Sequence, residues 1–181
     1  MLPLLAFAAL GTISLIVIRR AGRALTLTRE AETFRRASVD LVDRAERSLA
    51  GVSERIDHVR RRELDASAIG DNLSAAQDAL ERYVDEARSL KPPREMSAIR
   101  GDIVAELEHA ARALDMVVHG CNMLANAGRG PRELEGQTSI KRGYLNILHA
   151  REAIARHAAD AVATRVRVER SRRPAARDHT M

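Results

Sequence analysis

Glu106 and His109 stand three residues apart, the Glu-x-x-His spacing with which helical di-iron bundles hold their metal. A carboxylate and an imidazole on one helix face suit iron, manganese or zinc. Such a centre also needs a second Glu-x-x-His on another helix and two more inward carboxylates. The nearest later pair, Glu152 and His157, is five apart and does not share a helix face. His119 and Cys121, two apart, point to different sides of a helix. Cys121 falls on an apolar stripe, so a small buried residue is expected there; a reactive thiol needs exposure and a neighbouring cation. His149 and His157, eight apart, lie two turns apart on one face, too far for joint ligation without a partner helix. No catalytic residue, cofactor site or metal ligand is therefore assigned, and the expectation is a protein that is not an enzyme.

The elements carrying these side chains are helical by pattern. From Ala24 to about Arg62, Phe34, Leu41, Ala45, Leu49, Val52, Ile56 and Val59 recur at spacings of three, four or seven. A second stripe, Ile69, Leu73, Ala76, Leu80, Val84, Ala87 and Leu90, ends at Lys91–Pro92–Pro93, with Asp65, Ser67 and Asp71 as alternative N-caps. The third runs through Met96, Ile99, Ile103, Leu107, Ala110, Leu114, Val117, Cys121 and Leu124 and stops at Gly128. Residues 128–137 (GRGPRELEGQ) read as a flexible loop, after which Thr138 or Ser139 would cap a helix with Ile140, Tyr144, Ile147, Ile154, Ala158, Ala161 and Val168 inside. The expected helices are about 24–62, 67–90, 94–127 and 138–170, followed by a basic disordered tail at 171–181. The fold class is all-α: an elongated antiparallel four-helix bundle, or alternatively a helical-hairpin, coiled-coil domain.

Ahead of the bundle, Leu2–Ile18 carries no charge and is followed by Arg19, Arg20 and Arg23. As a helix, seventeen residues span roughly 25 Å, near the lower limit for a bilayer core, and arginines can snorkel to complete the span. A cleaved signal peptide would place its basic residues before the apolar run. Residues 1–23 are thus expected to form a transmembrane signal anchor, with Arg19, Arg20 and Arg23 as the membrane flank. The positive-inside rule puts the N-terminus outside and the helical domain in the cytoplasm.

The net charge of +5 comes from 30 basic and 25 acidic residues. Acids precede arginines by four positions at Glu32–Arg36, Asp40–Arg44, Asp43–Arg47, Asp57–Arg61, Asp78–Arg82, Glu108–Arg112 and Glu152–Arg156, which marks solvated helix faces. Nucleic acid is disfavoured as a partner, because aromatics make up only 2% of the chain and none lies near the basic clusters to stack on bases. Those clusters are Arg60–Arg62 and the C-terminal arginines, of which Arg167, Arg170, Arg172 and Arg173 form a candidate lipid-contacting tail. One cysteine excludes an intrachain disulfide.

Residues 90–114, LKPPREMSAIRGDIVAELEHAARAL, resemble a pattern of uncharacterised bacterial small helical-bundle proteins, membrane-anchored or secreted, in which a Pro-Pro turn opens a long helix. The resemblance implies a small bundle and no activity, and admits an extracytoplasmic domain. The expected function is a non-enzymatic, single-span membrane scaffold that binds a protein partner or itself as a homo-oligomer. A membrane-linked signalling or sensing module is the alternative, ahead of a metal-binding helical-bundle enzyme.

Overall fold

In the computed structural model the backbone is described for residues 2–126 and 130–172, and side chains for residues 26–126 and 130–163. The described chain is all-helical: α1 (Leu2–Arg60), a short 3-10 turn (Ala66–Ile69), α2 (Gly70–Ser89), a second 3-10 turn (Arg94–Met96), α3 (Ser97–Asn126) and α4 (Pro131–Arg172). Each helix packs on its chain neighbours and α1 closes against α4, with the most extensive interface between α3 and α4. Short connections and this ring of neighbours make the arrangement antiparallel, up-down-up-down.

The apolar stripes account for the core. Leu41, Leu49 and Ile56 of α1, Leu80 of α2, Leu107 and Leu114 of α3, and Ile147 of α4 are at most 1% exposed. A smaller cluster of Phe34, Met96 and Ala161 closes the bundle where the α2–α3 turn meets α1 and α4. Since α2 has only 20 residues, the four-helix part extends for roughly 30 Å, shorter than helices of 30 or more residues would give.

The helix ends differ from expectation in instructive ways. α1 ends through bonds from the Arg62 N–H to the Val59 carbonyl and from the Glu63 N–H to the His58 carbonyl, each 2.9 Å. That is a Schellman motif, and Arg62 occupies its left-handed position (φ 62°), where glycine is usual. Asp65 precedes the first 3-10 turn without a side-chain cap bond. The Pro-Pro turn does end α2: Leu90 is already extended (ψ 137°).

The start of α4 is a correction. It begins at Pro131, not at Thr138, so most of the segment expected as a loop is helix. Proline suits the first helical position, where its missing N–H costs nothing. Thr138 and Ser139 therefore cap nothing. The Thr138 hydroxyl donates back to the Leu134 carbonyl (2.8 Å), and the Ser139 hydroxyl crosses to the Met116 carbonyl of α3 (2.8 Å). Gly136, which argued for a loop, is buried where the two backbones approach. A Cβ there would lie 3.0 Å from the Gly120 carbonyl, and one on Gly143 would lie 2.7 Å from the Ala113 carbonyl.

Among the described residues no helix is long and apolar enough to cross a membrane. The side chains of the expected anchor (residues 1–23, with Arg19, Arg20 and Arg23) and of Arg167, Arg170 and Arg172 lie outside the described ones, as do Gly128, Arg173 and most of the expected tail.

Candidate functional site

The residues singled out for chemistry do not converge. On α3, Glu106 and His109 pair with each other (Nδ1 to Oε2 3.4 Å) as neighbours one turn apart. Glu152 is exposed on α4, and His157 reaches only to 4.0 Å from Asp102 of α3. His149 is exposed. His119 is exposed whereas Cys121 is buried, so the two leave the helix on different sides. Burial pushes the Cys121 thiol up to about 11, a small buried residue and not an activated nucleophile. Among the described residues, no three or more histidines, cysteines or carboxylates gather to hold a metal ion.

One polar atom was not anticipated. The Ser38 hydroxyl is buried in α1 without a hydrogen-bond partner. Glu46 pairs with Arg151 and Phe34 clusters with Ala161, a register that brings residue 38 level with His157. A nucleophile–base pair requires a hydrogen bond between hydroxyl and imidazole, and none joins these two. The sequence does carry a signal for Ser38: four residues after Phe34 and three before Leu41, it falls on the inward stripe of α1, and only its polar side chain kept it out of that stripe.

The arginine cluster at the end of α1 is absorbed into structure. Arg60 and Arg61 both pair with Asp57, at 2.7 and 2.8 Å. Their hydrogen bonds and charge, Arg60's foremost, hold the Asp57 carboxyl below its usual range. Arg62 reaches Glu133 of α4 (3.4 Å), and the Arg60 guanidinium stacks over the Tyr144 ring at 5.5 Å. Further along, Arg44 pairs with Glu86 of α2 and lies 5.6 Å over Tyr83, while the Arg151 guanidinium forks onto both oxygens of Glu46, its Nε at 3.1 Å from each. These cross-helix links fasten α1 to α2 and to α4.

A largely apolar groove of about 400 Å³ lies between α3 and α4. Met116, His119 and Met123 line one wall, and Leu134, Thr138 and Arg142 the other. Leu134 is 68% exposed. Glu135 and Ser139 also line this open groove, but the Thr138 and Ser139 hydroxyls are committed to the Leu134 and Met116 carbonyls and not to His119. Both walls follow helical spacing, but the loop expected at 128–137 hid one of them.

No family model, curated protein or solved structure matches this chain. The resemblance of residues 90–114 to bacterial helical bundles therefore rests on its sequence pattern alone.

Proposed function

We propose that this protein is a non-enzymatic membrane-anchored scaffold, in which residues 2–18 hold an antiparallel helical bundle at a bilayer and the bundle binds a protein partner or a second copy of itself. The observation that carries this reading is the length of α1. One helical element runs from Leu2 to Arg60, so the apolar stretch and the first core helix are joined without a break in the helix. A bundle attached in that way is held at a set height and tilt, as a scaffold requires and a flexible tether does not supply. The Met116–Met123–Leu134 groove adds exposed apolar surface of the kind that partners cover. On the charge argument the bundle faces the cytoplasm.

The alternative, a signalling module, is favoured by the same continuity. A shift of the anchor would pass through Ala21 and Gly22 into α1 without a break in the helix. Chemical crosslinking of the full chain in its native membrane, followed by mass spectrometry, tests the scaffold. Recovery of a self-adduct or one recurring partner adduct is expected. A chain that stays monomeric and adduct-free sinks it.

A further inference from the structure

We infer that the end of α4 and the arginine flank of α1 form one basic collar that binds the anionic lipid headgroups of the bilayer in which residues 2–18 are anchored. This rests on the anchor reading above and extends it to a second contact with the same membrane.

Two independent observations meet here. The first is charge segregation. Residues 31–163 contain 20 basic and 22 acidic side chains, whereas residues 19–30 and 164–181 together contain ten basic and three acidic. All of the net positive charge thus sits in two segments more than 130 residues apart in the chain. The second is register. Arg62 pairs with Glu133, Glu46 with Arg151, and Phe34 clusters with Ala161, so α1 and α4 run antiparallel with nearly constant offset. Carried on at equal rise, that offset brings Arg172 at the end of α4 level with about residue 24 of α1, one turn past Arg20. The α2–α3 turn closes the bundle at the level of Phe34, roughly 21 Å short of Arg20, so among the described residues only α1 and α4 continue to this end.

The helical parts of the two basic segments, residues 19–30 of α1 and 164–172 of α4, therefore fall at one level along the bundle axis, although far apart in sequence. The contrast with Arg60–Arg62 sharpens the point. That cluster lies at the opposite end of the bundle, and each of its arginines is paired, Arg60 and Arg61 with Asp57 and Arg62 with Glu133. At the collar, Arg165, Arg167, Arg170 and Arg172 stand against a single acid, Glu169, within the last turns of α4. Basic residues within a Debye length of an anionic surface are each attracted to it, and here an anchor would fix them at that distance. Nucleic acid shares the phosphate chemistry, but the anchor supplies anionic headgroups at this level and no aromatic side chain lies among residues 164–181 to stack on bases.

The test uses the full chain with Cys121→Ala and Ser171→Cys, labelled with a fluorophore and reconstituted into vesicles that carry a headgroup quencher. One vesicle set is zwitterionic and the other contains about one-third phosphatidylglycerol. Strong quenching is expected only on the anionic vesicles. It should fall about tenfold when Arg165, Arg167, Arg170 and Arg172 are replaced by Gln, or when salt is raised, while the protein still floats with the vesicles and keeps its helical circular dichroism. Flotation without quenching on anionic vesicles overturns the collar and leaves the anchor standing. Loss of flotation itself defeats the anchor reading. Quenching relieved by stoichiometric single-stranded DNA, with the DNA retained on the protein, would assign the collar to nucleic acid and overturn the lipid proposal.

Discussion

The α3–α4 interface and the interfaces of α1 are built on opposite principles. Between α3 and α4 the backbones come close. Gly120 and Gly143 leave no room for a Cβ, Gly136 leaves little, and Gly143 sits against the Ala113 carbonyl. The polar links there are modest, such as the Ser139 hydroxyl to the Met116 carbonyl and the Asn146 amide 3.7 Å from the Met116 sulfur. α1 meets its neighbours through larger side chains, Leu41, Leu49, Val52 and Ile56, and is fastened at its rim by Arg44–Glu86, Arg151–Glu46 and two arginine–tyrosine stacks. A backbone-close seam tolerates almost no sliding, because any shift drives carbonyls into side chains. The α1 seam instead keeps its backbones farther apart, with buried larger side chains between them and partly buried ion pairs at its rim. The difference makes α3–α4 the closest-packed seam of the bundle and α1 the helix held by larger side chains and rim pairs.

Thiol chemistry breaks or sharpens this comparison most strongly. Cys121 lies on the buried face of α3 next to Gly120, with its pKa pushed up to about 11 from 9.0. At pH 8 its thiolate fraction falls about a hundredfold, so reaction with a disulfide reagent should slow at least that much relative to urea-unfolded protein. Reaction at the unfolded rate would mean that the seam is loose.

Glycine substitutions come next. Gly143→Ala places a methyl 2.6 Å from the Val117 side chain and 2.7 Å from the Ala113 carbonyl. Overpacking should outweigh the gain in helix propensity and destabilise the protein by about 1–2 kcal/mol in urea unfolding. Gly51→Ala on α1 meets nothing within 4 Å and should stabilise it by about 1 kcal/mol. Equal effects at the two positions would erase the distinction between the seams.

Removing the fork at Arg151→Ala should cost about 1 kcal/mol, reduced in high salt because the pair is only partly buried. The smallest effect is expected at the end of α1. Arg62→Gly relieves left-handed strain but gives up an exposed pair with Glu133, for a net gain of about 0.5 kcal/mol by thermal unfolding.

The core was legible in the sequence, and the seam was not. Every residue of the four apolar stripes with a described side chain is buried or partly buried, from Phe34 to Ala161. Periodicity in large hydrophobics reports such faces directly. Gly136 and Gly143 carry no hydrophobic signal, and glycine next to proline argues for a turn, which is why α4 was expected to start seven residues late. Local ion pairs such as Glu32–Arg36 and Asp57–Arg61 followed from four-residue spacing. Pairs between helices, such as Glu46–Arg151, depend on which faces meet, and stripes do not say. The same holds for candidate sites: Glu106–His109 has the spacing of a ligand pair, and among the described residues no other helix brings a third ligand to it.

The central claim, that α1 carries a membrane anchor and the bundle on one helix, is tested most directly by alkaline carbonate extraction. Full-length protein and a variant lacking residues 2–18 would be expressed and their membranes extracted at high pH. The account predicts that the full chain stays in the membrane pellet while the shortened chain is released in folded, helical form. Full-length protein recovered in the soluble fraction would contradict it.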